Sequence, residues 1–400
     1  MSQRPGAEWL VLGCGVVAAM HVGKLPPALP VLRQQLGVSL VEAGFLLSTV
    51  QLGSMLLGLV LGLGAHRFGL RRALLAGLWL LALASLSGTQ ASSASGLLAA
   101  RAAEGVGVLL VALSAPSLLR RIVPAHRQSL RLGLWGTYMP TGTGLALLLG
   151  PWAIASLGWI GWWYGLGLLC AAMAVAAHVG VPPEAQAAHG PSERRPLVDT
   201  LGQGRAWLLA LCFGAYSAQW LTVIGFLPTI YMDAGVDAAA SGLLTAVAAL
   251  ANAAGNVAGG RALHRGVAPR RLLMWGFTAM AVGAFVAFAL QDQVAFAVRY
   301  GAVVLFSGVG GLVPSTLFAL SGRVSPDPRA MPVVVGLLTQ GTGAGQFLGP
   351  PAAAWWAAGH GGWSQTWVAT GCAAVVGAAL AWMLCRGLAD TRHDVRREGP

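Results

Sequence analysis

Gly62-Leu63-Gly64-Ala65-His66-Arg67-Phe68-Gly69-Leu70-Arg71-Arg72 separates two long apolar runs, and a shorter copy, Gly260-Arg261-Ala262-Leu263-His264-Arg265, follows at an offset of 198 residues. The same offset carries Leu29-Pro30 onto Leu227-Pro228, Gly37-Val38 onto Gly235-Val236 and Gly44 onto Gly242. It also carries Arg101 onto Arg299 and Pro116-Ser117 onto Pro314-Ser315. One inserted residue then moves Gly142-Thr143-Gly144 and Gly150-Pro151 onto Gly341-Thr342-Gly343 and Gly349-Pro350. Single matches of Gly, Pro and Arg carry little. Their order at a near-constant offset marks a chain built from two similar, strongly apolar halves, the pattern of a transporter with a path between them.

Composition fixes the solvent. Hydrophobic residues make up 56% of the chain and charged ones only 10%, against about 25% charged in soluble domains. A membrane helix needs about 20 apolar residues. Twelve such stretches are legible, near 9–30, 40–64, 71–90, 97–120, 131–153, 160–181, 206–228, 239–262, 270–290, 295–320, 332–354 and 364–386. They are helix-length and not ten-residue alternating segments, which excludes a β-barrel. The first run is too long for a secretory signal and reads as a retained helix. Cys14, Cys170, Cys212, Cys372 and Cys385 form no metal spacing and read as packing residues. No metal or cofactor is expected.

The net charge of +12 would suggest nucleic acid in a soluble protein, but its placement excludes that. With a cytoplasmic N-terminus and twelve spans, only Lys24, Arg33, Arg101 and Arg299 among the 25 Lys and Arg fall away from the cytoplasmic face. Both termini are then cytoplasmic. The expected organisation is a six-helix bundle at 1–181, a polar Pro-containing linker at 182–204 and a second bundle at 205–400. No GxxxxGK[ST] loop or room for a nucleotide-binding domain is present, which argues against ATP-driven transport. No nucleophile–base or metal constellation suggests an enzyme.

The quoted stretch resembles the loop signature of the major facilitator superfamily, G-x-x-x-D-R-x-G-R-[RK]. Arg101-Ala-Ala-Glu104-Gly105-Val-Gly107 resembles the family's fourth-helix motif, and Gly150-Pro151 its fifth-helix Gly-Pro. The resemblance covers nearly the whole chain. It implies an all-α membrane protein of twelve transmembrane helices in two six-helix bundles, a central cavity lined by spans one, four, seven and ten, and alternating access. The loop residues His66, Arg67, Arg71 and Arg72, with His264 and Arg265 in the repeat, are the expected gating set. His66 replaces the family's aspartate, which makes a weaker latch. The Arg residues are equally readable as topology determinants. The Pro-rich end of span one and Gly133-Leu-Trp-Gly-Thr-Tyr-Met-Pro140 further resemble the cyanate-permease-like branch.

Small residues recur every four positions: Gly341, Gly345 and Gly349; Gly142, Ala146 and Gly150; Ser54, Gly58 and Gly62; Gly255 and Gly259. Such faces let helices approach closely. In the resembled fold spans two and eleven, and five and eight, meet across the halves, so these faces are expected on the sliding interface. Tryptophans including Trp9, Trp159, Trp162 and Trp163 fit interfacial belts.

Intramembrane charge is costly and guides the site. Lys24, the only lysine in the chain, lies roughly two-thirds of the way across span one at ~1.5 Å per residue. His21 shares its face. Arg101 and Arg299 begin spans four and ten at a comparable depth. Glu104 can pair with Arg101, and one carboxylate cannot neutralise three cations, so the excess would attract an anion. Lys24, His21, Arg101 and Arg299 are therefore the candidate substrate residues, with Tyr216, Gln219 and Trp220 of span seven completing the site. Snorkelling of the arginines, or a structural Arg101–Glu104 brace, is the competing account. Glu104 and His21 are the proton-coupling candidates.

The leading expectation is a monomeric secondary transporter in the bacterial inner membrane, importing a small anion or organic acid with proton coupling. A drug or metabolite exporter of the same fold is the second reading. A non-transporting membrane sensor or assembly factor is the third.

Overall fold

The computed structural model describes residues 6–183, 200–325 and 331–397; the side chains of 62–68, 125–126, 129–130, 332 and 387–397 are outside the described set. Most of the expected linker, 184–199, is also outside it. Ten helices among the described residues are long and apolar enough to cross a membrane. They are α1 (Ala7–Leu36), α2 (Leu40–Leu61), α3 (Leu70–Gly88), α4 (Ala94–Ile122), Tyr138–Gly180, α7 (Gly204–Asp233), α8 (Ala238–His264), α9 (Pro269–Ala289), α10 (Phe296–Val324) and α12 (Gly362–Arg386). Tyr138–Gly180 is interrupted at Gly158, whose φ of 70° leaves the helical region, and thus holds two spans, α5 (138–157) and α6 (159–180). The 29-residue Met331–Gly359 is α11. The chain is a multi-pass membrane protein, with twelve helices of membrane-spanning length among the described residues.

Contacts with α1 set the directions of α5 and α6. Gly142 of α5 meets Val16 and Met20, and Gly150 meets Pro27, so α5 runs parallel to α1. In α6, Trp162 bonds the Lys24 carbonyl, Met173 meets Gly13 and Gly180 meets Leu10, so α6 runs antiparallel. The side where α1 starts is called the terminal face, and the opposite side the far face.

Proline shapes α1. Pro26 and Pro27 lack the N–H groups that the carbonyls of Val22 and Gly23 would take in a continuous helix. The helix breaks at Lys24, between Ala7–Gly23 and Leu25–Leu36. The expected fifth span begins later than its apolar run suggested. Residues 131–135 belong instead to a separate amphipathic helix, Ala125–Trp135. Arg131 of that helix lies 3.3 Å from Glu8 and 4.0 Å over the Trp9 ring. Trp135 stacks on Tyr138 at 4.2 Å and sits against Gly15 of α1.

The small-residue faces are corrected. Gly341, Gly345 and Gly349 of α11 pack on Ala210, Gly214 and Ala218 of α7, in the same half. Gly142, Ala146 and Gly150 pack on α1, and Gly255 and Gly259 pack on Gly308, Gly311 and Ser315 of α10. These stripes lock helices within each half. Only the Ser54–Gly58 stripe crosses between halves, onto Gly343 and Gln340. The halves do meet through α2 with α11 and α5 with α8. Gly44 lies against Pro351 near the far face and Leu59 against Gly336 near the terminal face, while Gly242 lies against Pro151. Van der Waals contact holds these pairs, since lipid offers no hydrophobic drive between helices.

The close approach is testable on one helix. A Cβ at Gly255 would collide with the Gly308 carbonyl, whereas one at Gly260 meets nothing within 4 Å. Gly255→Ala is expected to cost about 3 kcal/mol, and Gly260→Ala to gain about 0.5–1 kcal/mol from helix propensity. Thermal unfolding in detergent distinguishes them; equal shifts would refute the packing.

Candidate substrate site

The interior of the first half holds a buried ionic cluster centred on Glu104. Arg101 and Glu104 stand one turn apart on α4, so both side chains project from one face. The break in α1 carries Lys24, with His21 one turn earlier. All four side chains have no exposed surface. Glu104 Oε1 receives the Lys24 ammonium and lies 3.3 Å from His21 Nδ1. Glu104 Oε2 accepts from Arg101 Nη1 at 2.6 Å.

The remaining donors are placed by neighbouring helices. Lys24 Nζ donates to Ser85 Oγ of α3 at 3.0 Å and stands 4.5 Å over the Trp163 ring of α6. Ser85 Oγ donates to the Trp163 carbonyl at 2.9 Å. Arg101 Nη1 also donates to the His21 carbonyl at 2.6 Å, and its Nε to the Leu46 carbonyl of α2 at 3.3 Å. Trp162 Nε1 donates to the Lys24 carbonyl at 3.1 Å. The broken turn of α1 therefore gives carbonyls to Arg101 and Trp162.

His21 sits between two states by geometry alone. Its Nε2 is 3.1 Å from Cys170 Sγ, and its Nδ1 is 3.4 Å from Lys24 Nζ. With Nδ1 bare it accepts from Lys24; with Nδ1 protonated it donates to Glu104. Counting Lys24, Arg101 and Glu104 as ionised and His21 as neutral leaves one excess positive charge. Removing these groups from water costs several kcal/mol per ion.

Arg299 is not part of this cluster, which corrects the expected union of three cations. It lies in the second half, where Nε donates to the Ala287 carbonyl at 3.3 Å and Nη1 to Gln291 at 3.4 Å. Those carbonyls belong to the π-turn Phe285–Ala289 and the loop after it, whose irregular path leaves acceptors available. Tyr216 and Trp220 are also directed elsewhere. Asn252 Nδ2 of α8 donates to Tyr216 OH at 2.8 Å, and Trp220 Nε1 donates to Ser307 Oγ of α10 at 3.2 Å. Gln219 donates to the Ala215 carbonyl of its own helix. Tyr216 and Trp220 belong, with Asn252 and Ser307, to a neutral polar network inside the second half, to which Gln219 is not bonded.

The gating set divides. His66 and Arg67 have side chains outside the described residues. Arg71 Nε donates to the Val181 carbonyl at 2.9 Å and its Nη2 to the His178 carbonyl, fixing the α2–α3 turn to the end of α6. Arg72, His264 and Arg265 are exposed at the terminal face. Sequence reasoning assigned Trp162 and Trp163 to an interfacial belt and Cys170 to packing; all three are buried against the cluster. Depth was the available signal. Both tryptophans begin span six at the far side, level with Lys24 on span one.

Among the described residues, the membrane-length helices enclose a buried ionic cluster in the first half, the kind of polar centre expected of a membrane transporter. The Major Facilitator Superfamily profile matches residues 11–330 and 209–399. The cyanate transport protein CynX of Escherichia coli (strain K12) is 30% identical over 310 residues, covering 75% of this chain and 77% of that protein. The 2-nitroimidazole transporter of the same organism is 26% identical over 309 residues, covering 74% and 77%. Among solved structures, an inward-facing, unoccupied bacterial homologue of the human lysosomal transporter Spinster superposes with a TM-score of 0.78 at 14% identity, covering 97% and 99%. A D-xylose–proton symporter gives 0.77 at 15% identity, covering 95% and 98%. The chain belongs to the major facilitator superfamily. It is a transporter and not an enzyme.

Proposed function

We propose that this chain is a monomeric secondary active transporter of a small anion or organic acid, set in the bacterial inner membrane with both termini cytoplasmic. The buried excess positive charge of Lys24, Arg101 and Glu104 carries this reading. Such a centre attracts an anion and rejects a cation. The cyanate transport of a relative 30% identical to this chain accords with a small anionic substrate. Alternating access follows as rocking of two bundles, 1–181 and 205–400, each held internally by the glycine contacts described above. His21 and Glu104 supply the proton coupling: a proton arriving on His21 Nδ1 replaces Lys24 as donor to Glu104, which frees the ammonium for the substrate.

The test is uptake and counterflow in proteoliposomes with cyanate, formate, pyruvate and oxamate beside neutral and cationic solutes. Accumulation of at least one anion, stimulated by an inward proton gradient, is expected. Uptake confined to neutral or cationic solutes would overturn the reading.

A further inference from the structure

Helix faces define a belt of buried polar groups at one depth between the halves. On α11, Gly341, Gly345 and Gly349 meet α7, Gly336 and Gly343 meet α2, and Leu348 and Trp355 are 60% and 64% exposed. At about 100° per residue, Gln346 and Thr342 lie on the side away from Leu348, between α2 and α7. Gln346 Oε1 and Thr342 Oγ1 are buried without a hydrogen-bond partner. On α2, Gln51 Nε2 is likewise unpartnered, and the residue is 3% exposed. Gln51 stands between Leu47, which meets Gly225 of α7, and Met55, which meets Gly343 of α11, and so shares the depth of Gln346. Ser217 Oγ on α7 is buried and unpartnered beside Ala218, which packs on Gly349. Arg101, whose Nε reaches Leu46 of α2, has a free Nη2.

These groups are chemically unequal. Arg101 Nη2, in the first half, can only donate, whereas the Gln51 and Gln346 amides each offer a donor and an acceptor. Ser217 and Thr342 can do either. Unmade hydrogen bonds at buried atoms are costly, and one ligand that accepts at one end and donates at the other satisfies the belt. We infer that the transported anion also carries a hydrogen-bond donor, such as an amide, hydroxyl or ring N–H. Gln346 holds that donor, and the charged end lies toward Lys24 and Arg101. This rests on the anion reading above and adds the second recognition element to it.

Three near-isosteric probes separate the two claims: oxamate (charge and N–H), pyruvate (charge only) and pyruvamide (N–H only). Their binding to the full-length protein in nanodiscs is measured by calorimetric titration. Oxamate is expected to bind at least about tenfold more tightly than pyruvate, because a site built for a donor rejects the analogue lacking it. Gln346→Met should bring the oxamate-to-pyruvate ratio close to one. Equal wild-type affinity for oxamate and pyruvate overturns the donor inference and leaves the anion reading standing. A ratio that survives in Gln346→Met overturns the role of Gln346. Pyruvamide binding as tightly as oxamate defeats the anion reading but upholds the donor contact. Binding of none of the three overturns the inference.

Discussion

Glu104→Gln is expected to lower the unfolding free energy by about 3–5 kcal/mol, the range for removing one partner of a buried ion pair. The carboxylate is the only acid bonded to Lys24 and Arg101 among the described residues, and all three are fully buried. A neutral amide keeps the shape but leaves two cations facing each other without compensation. The amide nitrogen would also point a donor at groups that are themselves donors. Loss of folded protein in fluorescence-detected size exclusion, and a fall in the melting temperature in detergent, are the readouts. Unchanged thermal stability would show that the cluster is not assembled as described.

Lys24→Met separates stability from transport. Methionine retains most of the length of the side chain and removes the ammonium that stands over Trp163. It leaves Glu104 paired with Arg101, a neutral unit, and neutral His21 in its Nδ1–H tautomer can donate to Glu104. Removal of one partner of a buried pair is costly because it strands the other charge; here Glu104 keeps Arg101, no charge is stranded, and the variant should melt within about 1 kcal/mol of wild type. Anion uptake should nevertheless fall about a hundredfold, equivalent to about 2.7 kcal/mol of lost binding. The excess positive charge has gone while the scaffold remains. Wild-type uptake by a well-folded Lys24→Met protein would remove Lys24 from the site. The two variants touch the same contact and are expected to fail in opposite ways: Glu104→Gln in folding, Lys24→Met in transport.

The site was partly legible beforehand, for a specific reason. Lys24, His21, Arg101 and Glu104 stood out because ions are rare in apolar spans, and spacing alone placed Arg101 beside Glu104. Ser85 and Cys170 did not stand out. A hydroxyl or thiol within a span has many uses, and nothing local marks it as a partner of a residue 61 or 149 positions away. Arg299 misled because the repeat pairs it with Arg101, yet its position counterpart to Glu104 is Ala302. Without the acid the guanidinium takes the loop carbonyls of Ala287 and Gln291.

The glycine stripes show where periodicity stops being informative. A four-residue repeat of small side chains establishes that another backbone comes close, but not whose. Gly345 meets Gly214 of its own half, while Ser54, in a similar stripe, meets Gly343 of the other. The sequence by itself determined the solvent, the twelve spans, the two-fold repeat and the presence of buried charge, because apolar length and the cost of ions in lipid are properties of the chain's local chemistry. Tertiary structure alone decided which cations share Glu104, which stripes lock a half and which of them cross the interface. Those depend on the rotation and depth of each helix against neighbours distant in sequence, and packing contacts set both.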